Sequence, residues 1–405
     1  GVSWVIEGRQ LDAEQEAAVR AALDPACPAV IVTGGPGTGK TTLVREICQR
    51  FRGLIALCSP TGKAAKRLTE QTGRDAKTIH RLLAWSPQDE TWLHHELNPL
   101  PHDLVVVDEA SMVDVDLAFA LTSALTATTK LVVVGDVDQL PSIGPGHLLR
   151  DLIASRRLLT VRLETLHRQA PNSYIARNAR RFNKGEDPIL DPKAEDFFWH
   201  PTESAEHAFD VTRKLVCETI PKRHGVDPVR DVQVLCPQRK GVIGLHRFNA
   251  ELQPLLNPPK AGVPSVTSLR GQVFTVGDKV RHTKNNYTLQ VMNGETGIVT
   301  DIRRVGNRIE TDIDYGDRVA TYPDLGALSE VVLNYASTIH ASQGSEYPVV
   351  VLLLHSYNFH MLSRNLAYTG LTRAQTAVHL VGDEKGLRRA LRNVQVAQRY
   401  TQLAE

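Results

Sequence analysis

Cysteine is scarce and unpatterned in this chain. The five residues (Cys27, Cys48, Cys58, Cys217, Cys236) are odd in number, widely separated and never in a Cys-x-x-Cys pair, which leaves no basis for a disulfide framework or a zinc site. Long apolar runs are missing too, and no basic-then-apolar stretch opens the chain, so neither a membrane helix nor a secretion signal is read from it. A reducing cytoplasm and no membrane partner are expected. Charge of either sign is not in excess: 47 Lys and Arg against 45 Asp and Glu leave a formal +2, so bulk charge does not announce a nucleic-acid partner. Internal repeats and low-complexity tracts are absent. The opening Gly1-Val2-Ser3 has no initiator methionine, as expected of a trimmed chain or a piece of a longer protein. What remains is an ordinary globular composition whose length suits about two to three domains.

The strongest positive signal is Gly34-Gly35-Pro36-Gly37-Thr38-Gly39-Lys40-Thr41-Thr42, entered from the apolar run Ala29-Val30-Ile31-Val32. It fits the pattern G-x-x-x-x-G-K-[ST] directly after a predicted strand. Glycines let the backbone curl so that successive N–H groups face phosphate oxygens, and the following helix turns its positive end to the same anion. Gly35, Pro36, Gly37, Thr38 and Gly39 are the expected cradle for ATP. Lys40 is expected on the β- and γ-phosphates and Thr41 on Mg²⁺, with Thr42 adding a phosphate contact.

Short β-rich runs recur before helix-sized segments: 29–32, 54–58, 104–107, 131–134, 232–235, 349–354 and 377–381. That order predicts an α/β protein with parallel sheets covered on both faces, in two domains. From 267 to 330 the pattern changes to short alternating strands with turn signals at Gly277-Asp278, Gly306-Asn307 and Gly316-Asp317, which reads as a small inserted β-barrel. A shorter interruption, 85–102, is polar, contains Pro87, Pro99 and Pro101, centres on Trp92, and reads as a protruding hairpin or loop. The expected division is 1–165 for the first domain, 166–266 with 331–405 for the second, and 267–330 for the insert. Local charge stands out once. From Arg150 to Lys184 nine Lys and Arg face two acids, a segment read either as phosphate-tracking or as a solvated helical face.

Asp108-Glu109 closes the run Leu104–Val107, placing two carboxylates at the carboxyl end of a strand, where α/β folds put ligands. Asp108 is expected to hold Mg²⁺ through water, and Glu109 to polarise the water that attacks the γ-phosphate. Gln139, in Gly135-Asp136-Val137-Asp138-Gln139-Leu140-Pro141, carries an uncharged amide able to touch both γ-phosphate and attacking water.

Taken with Ser59-Pro60-Thr61-Gly62-Lys63-Ala64-Ala65, Thr78-Ile79-His80-Arg81-Leu82-Leu83, Leu166-His167-Arg168-Gln169, Thr338-Ile339-His340-Ala341-Ser342-Gln343-Gly344-Ser345-Glu346 and Tyr368-Thr369-Gly370-Leu371-Thr372-Arg373-Ala374, these segments resemble the ordered motif set of RecD-type helicases of superfamily 1 over nearly the whole chain. The resemblance implies two RecA-like P-loop domains, a pin in the first and an SH3-like barrel in the second. It implies an ATP-dependent helicase moving 5′ to 3′ on single-stranded DNA and opening duplex junctions, acting in repair or recombination as a monomer. It implies that Gln15 reads the adenine edge, that Arg168 and Arg373 reach the γ-phosphate, and that Gly344 and Glu346 meet the ribose. A guanidinium suits the second of these roles because it is always charged and forks onto phosphate oxygens.

The same resemblance implies that Pro60, Thr61, Lys63, His80, Thr338 and His340 follow the phosphodiester chain, contacts that fix register without reading sequence. Asn286, Tyr287 and Asn293 at the barrel edge, and Arg364 before the last motif, are expected to meet the same strand, Tyr287 by stacking a base. Three other readings fit the residues: the helicase half of a conjugative relaxase, an ATP-switched single-strand binding or loading module, and an RNA helicase, since phosphate contacts do not distinguish sugars. Neither a nuclease cluster of Asp, Glu and Lys nor a His/Tyr relaxase centre is found.

Overall fold

The computed structural model describes residues 5–6, 9–86, 88–165 and 173–394. The chain divides at Asn172/Ser173 into two compact units.

In the first unit six strands bond in the order Leu159–Leu163, Ala29–Gly34, Lys130–Gly135, Leu104–Val107, Ile55–Ser59, Ala76–Thr78, every neighbour parallel. Continuous apolar runs suit such strands because both faces are covered. Alternation sorts the side chains. Val30, Val32, Leu57, Leu104 and Val106 pack with Ala18 and Val19 of the helix Ala13–Leu23 and with Leu43, Val44 and Ile47 of the helix Lys40–Arg50. Ile31, Ala56, Cys58, Val105 and Val107 pack on the other face, with Leu117 and Leu121 of the helix Val115–Ser123 and Leu149 of the helix Leu148–Ser155. The edge strands Ala76–Thr78 and Leu159–Leu163 escape the sequence reading. An edge strand is paired on one side only and needs no continuous apolar run: one of these is the three-residue Ala-Lys-Thr, and in the other, Leu-Thr-Val-Arg-Leu, Thr160 and Arg162 interrupt the apolar residues.

The 85–102 interruption opens with a hairpin, Trp85–Ser86 against Thr91–Trp92, in which Trp85 lies opposite Trp92. Pro87 lies outside the described residues.

The second unit holds a five-stranded parallel sheet in the order Phe197–Pro201, Ala374–Gly382, Tyr347–Leu354, Val232–Cys236, Ala336–Thr338. Between its second and third strands in sequence, Val232–Cys236 and Ala336–Thr338, runs an antiparallel sheet ordered Val319–Tyr322, Arg308–Asp314, Thr296–Val305, Lys279–His282, Val331–Leu333. The turn read at Gly306-Asn307 joins two of these strands, with Val305 paired to Arg308 and Gly306 at φ +61°. One hydrophobic core serves both sheets, running from Val234 and Val351 to Val280 and Ile313. Buried Asp278 ties them further. It accepts hydrogen bonds from Gln253 Nε2 (2.6 Å), Asn257 Nδ2 (2.8 Å), the Thr275 amide (2.8 Å) and the Tyr335 hydroxyl (2.8 Å), donors that offset the cost of burying a carboxylate.

The basic segment 150–184 is not one element. It falls on the helix Leu148–Ser155, the strand Leu159–Leu163 and the helix Tyr174–Lys184. Several of its cations are already engaged: Arg162 with Asp138, Arg181 with Glu186, and Arg177 over the Tyr174 ring.

Candidate nucleotide and nucleic-acid sites

The phosphate loop leaves the carboxyl end of the interior strand Ala29–Gly34. Gly37 and Gly39 stand at φ +77° and +82°, a left-handed backbone that only glycine adopts without strain. Gly39 caps the helix Lys40–Arg50 with no side-chain bond, so the first-turn amides stay directed at whatever occupies the loop. Thr38 is buried and donates its hydroxyl to the Gly35 carbonyl at 2.8 Å. Lys40 Nζ donates to the carbonyls of Gly34 and Gly35, the latter at 2.9 Å. Its ammonium is therefore held at the mouth of the loop. Thr41 and Thr42 lie in the first helical turn.

Gln15 is buried and belongs to a capping box, its own amide bonded to Asp12 Oδ1 at 2.8 Å. Its side-chain amide donates to the Thr38 carbonyl at 3.4 Å. The structure thus sets this residue against the phosphate loop as a brace, a placement the sequence reading did not anticipate.

The strand Leu104–Val107 delivers Asp108, whose backbone amide donates to the Cys58 carbonyl at 2.9 Å. Burial, and then the neighbouring charge of Glu109, push the Asp108 carboxyl up to about 6, against the pull of Lys40 and Arg67. Glu109 stands at φ +54°, ψ +39°, a left-handed conformation that costs a residue with a side chain of order 1–3 kcal/mol and that clusters at functional sites. The strained backbone turns the chain sharply into the short helix Ala110–Met112 directly after the strand. Gly135 explains why the next strand can approach: a Cβ there would lie 3.1 Å from the Ala110 amide and 3.2 Å from that of Ser111. Beyond it, Gln139 is buried with its amide on Asp136 Oδ2 at 3.1 Å, and the Val137 amide donates to Thr33 Oγ1 at 3.3 Å. The Gln139 turn is therefore tied to the strand that carries the phosphate loop.

Two hydroxyls beside this site escape the sequence reading. Ser59 Oγ and Ser111 Oγ are buried with no protein partner. Ser59 lies one residue beyond the register pair Cys58–Val107, level with Asp108 on the neighbouring strand. Serine in a strand end carries no pattern that would flag it.

In the second unit Arg373 is buried, its guanidinium donating to the carbonyls of Thr369 (3.1 Å) and Ser345 (3.1 Å) and to Thr372 Oγ1 (3.2 Å). It is thereby brought to the turn of Gly344, at φ +71°, and Glu346, which accepts from Gln375 at 3.2 Å. Arg168 and its motif lie outside the described residues.

Of the expected DNA contacts, Pro60 precedes Thr61, whose hydroxyl caps the helix Gly62–Thr72 that carries Lys63. His80 is exposed on the short helix Ile79–Leu82, capped by Thr78. Its imidazole is nonetheless partly covered, and that desolvation lowers its pKa against the pull of Asp114. Thr338 ends a buried strand and accepts from the Ala341 amide at 3.2 Å, next to His340, whose pKa burial also lowers. Tyr287 is 53% exposed, as a base-stacking side chain must be, and Asn293, whose amide donates to Asn285 Oδ1 at 2.9 Å, is exposed too.

Two residues take other work. Asn286 uses both ends of its amide internally, donating to Glu330 (3.2 Å) and accepting from the Leu289 amide (3.0 Å), so it shapes the loop that presents Tyr287. Arg364 is turned onto two helix ends, donating to the carbonyls of Leu391 (2.8 Å) and Asn183 (3.4 Å). This is a capping role that the sequence reading did not give it. Its physical reason is that orphan carbonyls at helix C-termini attract a guanidinium.

Among the described residues no helix is long and apolar enough to cross a membrane, and no group of three His, Cys, Asp or Glu side chains is placed to hold a metal ion.

Three family profiles match in order: an AAA domain over residues 10–198, the SH3 domain of ATP-dependent RecD-like DNA helicases over 248–314, and a UvrD-like helicase C-terminal domain over 333–381. The ATP-dependent RecD2 DNA helicase of Deinococcus radiodurans is 38% identical over 349 residues, which cover 85% of this chain and 46% of that protein. This chain thus spans less than half of that relative. The RecD subunit of the RecBCD enzyme of Mycolicibacterium smegmatis is 33% identical over 416 residues, covering 93% of this chain and 72% of that subunit. A crystal structure of Pif1 helicase from Bacteroides with ADP-AlF3 and single-stranded DNA superposes with a TM-score of 0.58 over 94% of both chains at 18% identity, a likeness of fold alone.

Proposed function

Because the chain belongs to the RecD family of DNA helicases, we propose that it hydrolyses ATP to move 5′ to 3′ along single-stranded DNA and to open duplex junctions in DNA repair or recombination. The observation that carries this reading is the convergence of the phosphate loop, Asp108 and the strained Glu109 at the carboxyl ends of one parallel sheet. Membership of the RecD family supports the direction of travel and the pathway. A monomer in the cytoplasm is the simplest setting for the motor.

In this reading Lys40 and the loop amides bind the β- and γ-phosphates, and Gln15, Gly344 and Glu346 seat the nucleoside. The donor set fits Mg²⁺: the Thr41 hydroxyl and Asp108 carboxylate are hard oxygens, and the unpartnered Ser59 hydroxyl level with Asp108 suits a metal-bound water. When bound, the ion neutralises charge on the phosphate oxygens. Glu109 takes the proton of the attacking water as its oxygen bonds to the γ-phosphorus and the bond to ADP breaks. Gln139 orients that water, and Arg168 and Arg373 stabilise the charge that develops. Pro60, Thr61, Lys63, His80, Thr338, His340, Tyr287 and Asn293 hold the strand.

The test is ATP hydrolysis with single-stranded DNA, with RNA and with neither. Stimulation by DNA alone is expected. Equal stimulation by RNA, or none by either, would sink the reading.

A further inference from the structure

The hairpin of the 85–102 interruption springs directly from the helix that carries His80, and three rings join them. Trp92 packs in a tilted contact on Trp85 across the hairpin, with centroids 4.5 Å apart and planes at 49°, and on His80 at 5.4 Å and 43°. Trp92 also packs against the apolar core of the first unit. Backbone bonds close the base: the Leu93 amide to the Ala84 carbonyl (3.4 Å) and the His94 amide to the Leu83 carbonyl (3.2 Å). Ala84, between helix and hairpin, stands at φ +51°. A non-glycine residue persists in that conformation only where its surroundings impose it, and here Ala84 is held between its amide bond to the Arg81 carbonyl (3.3 Å) and the bond its carbonyl accepts from Leu93, at the foot of the hairpin that the tryptophan pair closes.

We propose that Trp92 is a positioning residue: its indole fixes the hairpin to the His80 helix, so that the strand contact at His80 and the hairpin form one rigid element. The proposal rests on the reading above, in which His80 holds single-stranded DNA. Its consequence is that Trp92, which need touch no nucleotide, sets both the affinity for the strand and the aim of the hairpin at a junction.

The test uses the full chain with Trp92→Ala, with Trp92→Leu, which keeps the apolar packing without the ring contact, with His80→Ala, and with the double variant Trp92→Leu/His80→Ala. Both Trp92 variants are expected to raise the DNA concentration for half-maximal ATPase stimulation roughly three- to tenfold, with the DNA-free and saturated rates unchanged, and to lose unwinding of forked duplex. His80→Ala is expected to raise the same half-concentration, and the double variant to be no worse than the poorer single one, because coupled residues do not add. The exciton couplet of the Trp85–Trp92 pair in far-ultraviolet circular dichroism should vanish in each Trp92 variant. A Trp92→Leu chain that loses this couplet yet keeps strand affinity and unwinding, or Trp92 and His80 effects that multiply, would overturn the positioning role. If the unmodified chain shows no DNA stimulation, the functional reading falls instead. The ring contact is then judged by tryptophan emission: quenching as His80 protonates, absent in His80→Ala, supports it, and no quenching overturns it.

Discussion

The phosphate loop of the first unit and the 284–293 loop of the second are both assigned to phosphate-bearing ligands, yet they are built in opposite ways. The first is a backbone device. Gly37 and Gly39 occupy the left-handed region, the helix N-terminus is capped without a side chain, and Lys40 is parked on loop carbonyls. The second is a side-chain device. Asn286 is spent on Glu330 and Leu289, Asn285 accepts from the Asn293 amide, and Tyr287 is left exposed. A backbone device dictates residue types at fixed spacing. A side-chain device can be assembled from many sequences, so its members take structural or contact roles that spacing does not reveal.

The comparison breaks most directly at Lys40. Lys40→Ala should cut hydrolysis by at least roughly two to three orders of magnitude, as when a charge-stabilising donor is removed; turnover near normal would show that the loop does not hold the phosphates. Glu109→Gln comes next. Loss of the base should slow hydrolysis by about a hundredfold while ATP binding, followed with a fluorescent analogue, persists. Failure to bind would make the strained carboxylate structural. In the second loop a smaller effect is expected: Tyr287→Ala should weaken single-strand affinity about tenfold, the worth of one stacked base, measured by anisotropy. If Asn286→Ala cost more than Tyr287→Ala, the loop's shape would outweigh the stacked ring.

The smallest effect sharpens the first half of the comparison. Burial raises the Asp108 pKa from the ordinary 3.8 to about 6. Its contribution to stability is therefore fully present below about pH 4 and is lost as the pH rises through about 6. Asp108→Asn should accordingly melt a few degrees higher than the natural chain at pH 8, with the gap closing toward pH 4. The same variant should hydrolyse no ATP. A variant less stable at pH 8 would mean that the carboxylate is satisfied by its surroundings and is not poised for a cation.

Much of this was legible. Apolar runs marked the central strands of both parallel sheets, because strands covered on two faces leave a continuous signal, and Asp108-Glu109 stood at a strand end as read. The edge strands Ala76–Thr78 and Leu159–Leu163 were not legible, since half-paired strands tolerate polar residues. Ser59 and Ser111 fall inside matching segments without a role of their own; only burial without a partner marks them. Gln15 and Arg364 show the other limit. Gln15 matches a family position and Arg364 precedes the last motif; in the structure a capping box and two helix C-termini also engage their polar groups, and such contacts depend on which elements pack together.

The most direct measurement is unwinding, by the full chain with ATP, of duplexes that carry a single-stranded tail at either the 5′ or the 3′ end. Strand separation from the 5′ tail alone, abolished by Lys40→Ala, is the predicted result. Separation from the 3′ tail would contradict the direction of travel, and DNA-stimulated hydrolysis with no separation from either tail would leave an ATP-switched strand-binding module in place of the motor.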